Sequence, residues 1–386
     1  MNTLIELYDE RAIENILAAD MFRPQRIVYL CPGKIAQSRH WQETLRKFFL
    51  HRGWEPKLTF LDSSMFKADH ILRQLLSISE QYPDCALDVT GGSDAALFAA
   101  GMFTAQTGVP AFTYSRKKNR FYDIFDASFA DNVPCHLSYS VEDFFLMAGG
   151  ALLPGRVDNA ILERYLGDID PFFSCFMRFR REWANIITYI QRVSPTEYGQ
   201  SPSLSIHGSY TVKGEHGGKI SANEDALQEF ERIGFIHALS IIPGKSVSFR
   251  FRDRNTRVWL RDVGSVLELY VYKACLETNI FGDVISSAVV RWDDVLGHGS
   301  VTNEIDVIPL FISCKVSDIK TEALNELAIL RDRFGGKGAK AVIVSTSRCN
   351  AATRHRAAQL GIAVIDLEEL KHGQLGHRLK VIMKAE

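Results

Sequence analysis

Leu87-Asp88-Val89-Thr90-Gly91-Gly92-Ser93 runs from an apolar stretch through two glycines into the small and apolar residues that follow Ser93. It reads as a short buried strand, Ala86–Val89, then a tight turn, then a helix over Ser93–Gln106. The same alternation extends on both sides. Upstream come strand-like Thr3–Tyr8, helix-like Ala12–Phe22 and strand-like Arg26–Cys31, closed by Pro32-Gly33. Helical His40–His51, strand-like Lys57–Leu61 and helical Ala68–Gln81 follow. Downstream, Ala111–Ser115 is another strand, and Phe121–Phe125 makes a terminal hairpin with Lys117, Lys118 and Asn119 at its turn. Strands separated by helices of roughly 10–15 residues imply βαβ units and a parallel sheet covered on both faces. Residues 1–150 are therefore expected to form a Rossmann-like α/β domain.

The two glycines also carry chemistry. They let the backbone turn sharply and approach a ligand, and the helix start offers free N–H groups with partial positive charge. This geometry, at the carboxyl end of a strand, suits a phosphodiester. Thr90 and Ser93 add hydroxyl donors. The same residues also read as a plain strand-to-helix turn. No Gly-x-Gly-x-x-Gly occurs, which disfavours a nicotinamide cofactor.

The chain has 386 residues, too many for one ordinary core, and its 46% hydrophobic and 24% charged composition is that of a soluble globular protein. Its longest nearly apolar stretch, Ala95–Ala105, is far short of the roughly 20 residues of a membrane span, and Met1–Glu6 lacks signal-peptide features. No membrane is expected. With 45 basic and 46 acidic residues, bulk charge does not drive nucleic-acid binding, though a local basic groove remains open. The seven cysteines are scattered singly, without Cys-x-x-Cys, which reads as reduced core thiols in a cytoplasmic protein.

Past residue 150 the pattern changes. Val141–Ala151 and Pro171–Ile190 read as helices, the second with Trp183, Ile186, Ile187 and Ile190 on one face. Gln191–Lys219, rich in Ser, Pro, Gly and Thr, reads as loop. Asn223–Ile233 is a short amphipathic helix, and Ile236–Ile242 with Ser246–Arg252 forms a hairpin around Pro243-Gly244-Lys245. Helices followed by a hairpin give residues 151–256 a winged-helix-like order, either a nucleic-acid-binding module or a spacer. Residues 257–386 read as a second α/β domain. It has helix Ser265–Glu277, strands Ala288–Arg291, Asn303–Ile308 and Leu310–Lys315, and helix Thr321–Phe334. Strand Ala341–Ser345, helix Asn350–Leu360 and strand Ile362–Ile365 complete it.

Within that domain, residues 303–315 gather polar groups on otherwise apolar strands. If the two strands pair symmetrically about Pro309-Leu310, Glu304, Asp306, Ser313 and Lys315 share one face, and Ile305, Val307, Ile312 and Cys314 the other. Carboxylates with a nearby lysine suit metal-assisted phosphodiester hydrolysis. Mg²⁺ or Mn²⁺ takes carboxylate oxygens and waters, and a lysine stabilises charge building on the phosphate. The same set also reads as a surface salt-bridge ladder worth at most about 1 kcal/mol.

Glu268 on a helix, Asp306 on a strand and Ser313-Cys314-Lys315 on the next resemble the PD-(D/E)xK nuclease pattern. Gly264–Tyr272, Asn303–Val307 and Phe311–Lys315 together resemble the nuclease half of the CRISPR ancillary nucleases. In that family a CARF sensor for cyclic oligoadenylates precedes a winged-helix region and a restriction-endonuclease-like domain. The order inferred above is the same, so the resemblance covers nearly the whole chain. It implies Glu268, Asp306 and Glu304 as ligands of a divalent metal (Mn²⁺ or Mg²⁺) and Lys315 as the catalytic lysine. Ser313 stands where the simplest motif has an acid, so the site loses a charge unless Glu304 or Glu322 supplies it.

At the sensor end, Thr90-Gly91-Gly92-Ser93 resembles the corresponding CARF loop. Asp9-Glu10-Arg11 and Pro32-Gly33-Lys34 take the matching ligand-facing positions. Asp94 stands where many relatives carry a basic residue, and Arg11 and Lys34 restore positive charge. The resemblance implies a homodimer with one cyclic oligoadenylate, such as cyclic tetra-adenylate, on its two-fold axis as an allosteric activator. The function expected is a cyclic-oligoadenylate-activated, metal-dependent endonuclease of CRISPR type III antiviral defence. Its substrate would be single-stranded DNA or RNA, or duplex DNA that it nicks. The rival expectation is a non-catalytic regulator with a winged helix and a degenerate nuclease domain.

Overall fold

The computed structural model describes residues 1–10, 12–153, 159–195, 202–214, 217–292, 310–334 and 339–384. Two compact units divide the chain. One comprises Met1–Leu153, Ala288–Phe311 and Ala328–Lys340, the other Pro154–Ser287, Ile312–Leu327 and Ala341–Glu386.

The first unit is built on a seven-stranded, mostly parallel sheet in the order β3-β2-β1-β4-β5-β6-β7. Its strands are β1 (Thr3–Leu7), β2 (Arg26–Cys31), β3 (Lys57–Asp62), β4 (Cys85–Asp88), β5 (Ala111–Ser115), β6 (Arg120–Phe125) and β7 (Val133–Pro134). The first five run parallel, while β6 and β7 return antiparallel at one edge. The expected Rossmann-like layer is present, including its terminal hairpin. The helices are α1 (Leu17–Phe22), α2 (Gly33–Ala36), α3 (Arg39–His51), α4 (Ala68–Gln81), α5 (Asp94–Thr107) and α6 (Val141–Met147).

Alternation along β1 separates two cores. Leu4 faces a cluster with residues of α1, α3 and α6, and Ile5 and Leu7 face another with α4 and α5. In α3, Ser38 caps Trp41 N at 3.2 Å, and Trp41, Thr44, Leu45, Phe48 and Phe49 form the buried stripe. The expected helix over Ala12–Phe22 is interrupted: Ala12–Asn15 is a 3-10 turn and α1 starts at Leu17. The expected helix over Val141–Ala151 stops at Met147. The chain then enters β8 (Gly150–Leu153), which pairs antiparallel with Val289–Trp292.

The second unit opens with α7 (Asn159–Leu162), α8 (Leu166–Phe179) and α9 (Trp183–Val193). Where one helix was expected over Pro171–Ile190 there are two, yet Trp183, Ile186, Ile187 and Ile190 are buried on one face as expected. Part of the expected loop is strand: β9 (Ser205–Ser209), β10 (Thr211–Lys213) and β11 (Lys219–Ser221). Its polar composition hid the pairing. β9 is held as the third strand beside the hairpin β12 (Ile236–Ile242) and β13 (Ser246–Phe251), in the order β12-β13-β9. Gly208 of β9 lies against α9, where a Cβ would meet Val193 Cβ at 2.8 Å. Helix α10 (Glu224–Arg232), capped by Asn223, precedes the hairpin.

Beyond it come α11 (Arg254–Trp259) and α12 (Ser265–Thr278), then β14, the Val289–Trp292 partner of β8. A three-stranded sheet, β15 (Leu310–Lys315), β16 (Lys340–Ser345) and β17 (Ile362–Ile365), is interleaved with α13 (Thr321–Phe334) and α14 (Ala351–Gln359). Helices α15 (Leu367–Lys371) and α16 (Leu375–Lys384) end the chain's described part. The expected strand Asn303–Ile308 lies outside the described residues. Among the described residues, no helix is long and apolar enough to cross a membrane.

Candidate functional site

In the first sheet β1 lies between β2 and β4, so connections leave it in opposite directions. The carboxyl ends of β1 and β4 flank that switch point, where open α/β sheets receive ligands. The loop after β4 is pressed onto the exit of β1. A Cβ on Gly91 would lie 2.9 Å from Asp9 Cβ and 3.0 Å from Leu7 O. Gly92 adopts φ +103°, and a Cβ there would meet Leu7 Cβ at 3.0 Å. Both positions thus require glycine, one for closeness and one for conformation.

The loop is anchored by its own hydroxyls. Thr90 N and Thr90 Oγ1 both donate to Asp88 Oδ1, at 2.8 and 2.5 Å, and Thr90 Oγ1 accepts from Tyr114 N at 2.8 Å. Ser93 Oγ donates to Met65 O at 2.6 Å and accepts from Ala96 N as the cap of α5. The hydroxyl hydrogens expected to face a ligand are therefore committed within the protein. The backbone amides of Gly91, Gly92 and Ser93 make no hydrogen bond among the described residues. Donation to an anion falls to the main chain.

The structure brings Asp9 against Gly91, and Asn15 fixes Asp9 by accepting from its N–H and donating to its carbonyl at 2.9 and 2.8 Å. Glu10 and Lys34 are exposed at the exits of β1 and β2, while Arg11 lies outside the described residues. Gly33 packs on the end of β3, where a Cβ would reach Asp62 Oδ2 at 2.7 Å. Beside the loop, α5 shows solvent an apolar stripe: Leu97, Phe98 (67% exposed), Gly101, Met102 and Ala105.

The second candidate site centres on Glu268 in the first turn of α12, a half-buried carboxylate. Ser287 Oγ donates to Glu268 Oε2 at 2.6 Å. Ser287 holds φ +54°, a left-handed conformation that a serine rarely adopts. The sequence carries no sign of this contact, because it depends on the chain returning along α12. Ser313, Cys314 and Lys315 are half-buried on β15, where Lys315 O accepts from Thr346 N at 3.1 Å. Burial pushes the Cys314 thiol far up; Glu268 and Cys275 add to the rise, while Lys315 opposes it. Glu268 and Lys315 thus share the neighbourhood of Cys314. Glu322 is exposed in the first turn of α13.

Glu304 and Asp306 lie outside the described residues. Among the described residues, no group of three His, Cys, Asp or Glu side chains is placed to hold a metal ion. Glu268 supplies one hard carboxylate oxygen, the donor type Mg²⁺ and Mn²⁺ take. A shallow cavity of about 560 Å³ lies behind α12, lined by Tyr270, Lys273, Glu277 and His377. Lys273 there is already paired with Asp170 and Glu277.

A mostly parallel sheet with helices between its strands defines a Rossmann-like α/β domain, and solved structures share the fold over the whole chain. Can2 from Sulfobacillus thermosulfidooxidans, in complex with cyclic tetra-adenylate, aligns with a TM-score of 0.59 at 15% identity, covering 100% of both chains. Protein VC1899 from Vibrio cholerae aligns with a TM-score of 0.66 at 15% identity, covering 99% of this chain and 98% of its own. At that identity the likeness is one of fold. No protein-family profile and no curated protein sequence matches the chain.

Proposed function

We propose that this chain is a cyclic-oligoadenylate sensor of CRISPR type III defence whose output is metal-dependent cleavage of nucleic acid. The observation that carries the sensing half is the glycine loop at the switch point, whose Gly91, Gly92 and Ser93 amides make no hydrogen bond among the described residues. Its support is a fold shared end to end with a protein solved in complex with cyclic tetra-adenylate. Gly91, Gly92 and Ser93 would receive a phosphodiester through the main chain, with Thr90 holding the loop and Asp9, Glu10, Arg11 and Lys34 bordering it. A homodimer would place two such loops on one ring, and the exposed stripe of α5 is the surface it would cover.

Residues 151–256 are read as a winged-helix-like spacer. The exposed residues of α10 include Asp225 and Glu231, which repel phosphate. In residues 257–386, Glu268, Asp306 and Glu304 would hold Mg²⁺ or Mn²⁺, and Glu322 is near enough in sequence to replace the charge missing at Ser313. A bound divalent cation would supply Lewis-acid polarisation and an activated water. Lys315 would stabilise charge on the phosphate, and Ser287 would keep the Glu268 carboxylate aimed. Ser313 in an acidic position favours a second reading, a non-catalytic regulator with a degenerate nuclease domain.

One experiment separates the two readings: incubation with single-stranded DNA, RNA and supercoiled duplex, with and without cyclic tetra-adenylate, in Mg²⁺ and in Mn²⁺. The nuclease reading expects cleavage that depends on effector and metal. Effector binding without cleavage under every condition would establish the regulator.

A further inference from the structure

Carboxyl side chains are buried beneath the effector loop. Glu6 on β1 stands in register with Asp88 on β4, so both leave the sheet on the same face. Each is 1% exposed. Glu14, in the turn after β1, is also buried and pairs with Arg116 from the β5–β6 connection. From β2, Tyr29 faces Glu6 in register and donates through its hydroxyl to Asn15 O at 2.8 Å, with Cys31 further along the same strand. From β5, the register neighbour of Asp88 is apolar Phe112. Asp88 Oδ1 takes both Thr90 bonds, while Glu6 Oε1 is buried with no hydrogen-bond partner among the described residues.

Two features make this arrangement more than packing. A carboxyl without a partner in a dry site is held neutral, because ionising it costs far more than in water. Burial accordingly pushes Glu6 well above the usual carboxylate range, with Asp88 and then Glu14 adding to the rise. Burial pushes Asp88 up to about 7, against the two Thr90 bonds and with help from Glu14. Asp88 also lies within a few residues of the amides that would receive the ligand. A second negative charge at those amides raises the cost of an ionised Asp88 in low dielectric.

We infer that binding in the crevice is proton-linked: an anionic phosphodiester seated on the Gly91–Ser93 amides is taken up together with a proton on Asp88. This rests on the effector reading proposed above. The proton comes from solvent and ends on the Asp88 carboxyl, most simply on Oδ2, since Oδ1 remains the acceptor for Thr90. By reciprocity, a rise in pH that strips this proton weakens the ligand by the same factor.

The test is calorimetry of cyclic tetra-adenylate binding to the full chain, run near neutral pH in two buffers of different ionisation enthalpy. Affinity is measured as well at about pH 6 and about pH 8.5. The expected results are a buffer-dependent heat reporting uptake of up to about half a proton per protomer, because Asp88 at about 7 is already half protonated when free, and an affinity falling on the order of tenfold between those pH values. Asp88→Asn keeps an acceptor for Thr90 and removes the titrating group, so whatever binding it shows should have a flat pH profile. The two-buffer comparison uses the unmodified protein and decides the matter even if the variant folds poorly. Binding with equal heats in both buffers and a flat profile overturns this inference alone. Absence of binding at every pH overturns the effector reading and this inference with it.

Discussion

The proposed effector crevice and the proposed nuclease site hold their carboxylates in opposite ways. Asp88 is buried, and its bonding partner Thr90 is two residues away in the same loop. Glu268 is half-exposed, and its partner Ser287 is nineteen residues away across a loop that returns along the helix. In the crevice, six consecutive residues, Asp88–Ser93, supply strand end, anchor, close approach and helix cap. The described part of the proposed nuclease site draws on α12, its return loop and β15. A site of the first kind is stiff and depends on main-chain shape. A site of the second kind depends on side-chain aim, and a single substitution can loosen it without disturbing the fold.

The strongest way to break this contrast is at Gly91. With Asp9 Cβ and Leu7 O already within about 3 Å of the absent Cβ, Gly91→Leu must displace the loop. Cyclic tetra-adenylate affinity is expected to fall more than about 100-fold, with a stability loss of about 1–3 kcal/mol from overpacking. Calorimetry and denaturant melts read both, and unchanged affinity would move the ligand elsewhere. Next is Lys315→Ala, expected to cost about 10²–10³ in cleavage rate while leaving Tm nearly unchanged, since Lys315 is only half-buried. Full cleavage by this variant and by Asp306→Ala would mean that the site is not catalytic.

Ser287 sharpens the comparison. Ser287→Ala should weaken Mn²⁺ binding roughly 10–100-fold, as loss of a supporting hydrogen bond does. Ser287→Gly should weaken it equally yet hold or raise Tm, because glycine accepts φ +54° without strain. If both variants lose stability and keep metal affinity, the contact only satisfies a carboxylate.

The last expected effect is on stability against pH. The folded-state pKa of Asp88, at about 7, lies above its unfolded value, so between about pH 4 and 7 the folded chain keeps a proton that the unfolded chain has released. Stability therefore falls as pH rises through that window and levels off above it, with Glu6 extending the fall upward. Asp88→Asn should flatten the curve of urea midpoint against pH between about 5 and 8.

The sequence by itself determined the first unit's layer, because its strands and helices are marked by local signals: apolar runs, Pro32-Gly33 after β2, Gly91-Gly92 after β4. The α3 face and the hairpin around Asn119 follow from the same short-range rules. Candidate residues contiguous in the chain, such as Thr90–Ser93, were legible for that reason. Their roles were not. Whether a hydroxyl faces a ligand or a neighbouring carbonyl depends on Met65 and Tyr114, which only folding brings to Ser93 and Thr90. The strand β9 was hidden in a polar segment because its partner β13 supplies the pairing that its own composition does not suggest. Ser287 beside Glu268, and Glu6 beside Asp88, were likewise decided by tertiary structure alone. A hydrogen bond or a shared burial between distant residues leaves no periodicity in the chain, since either residue would look the same without the other.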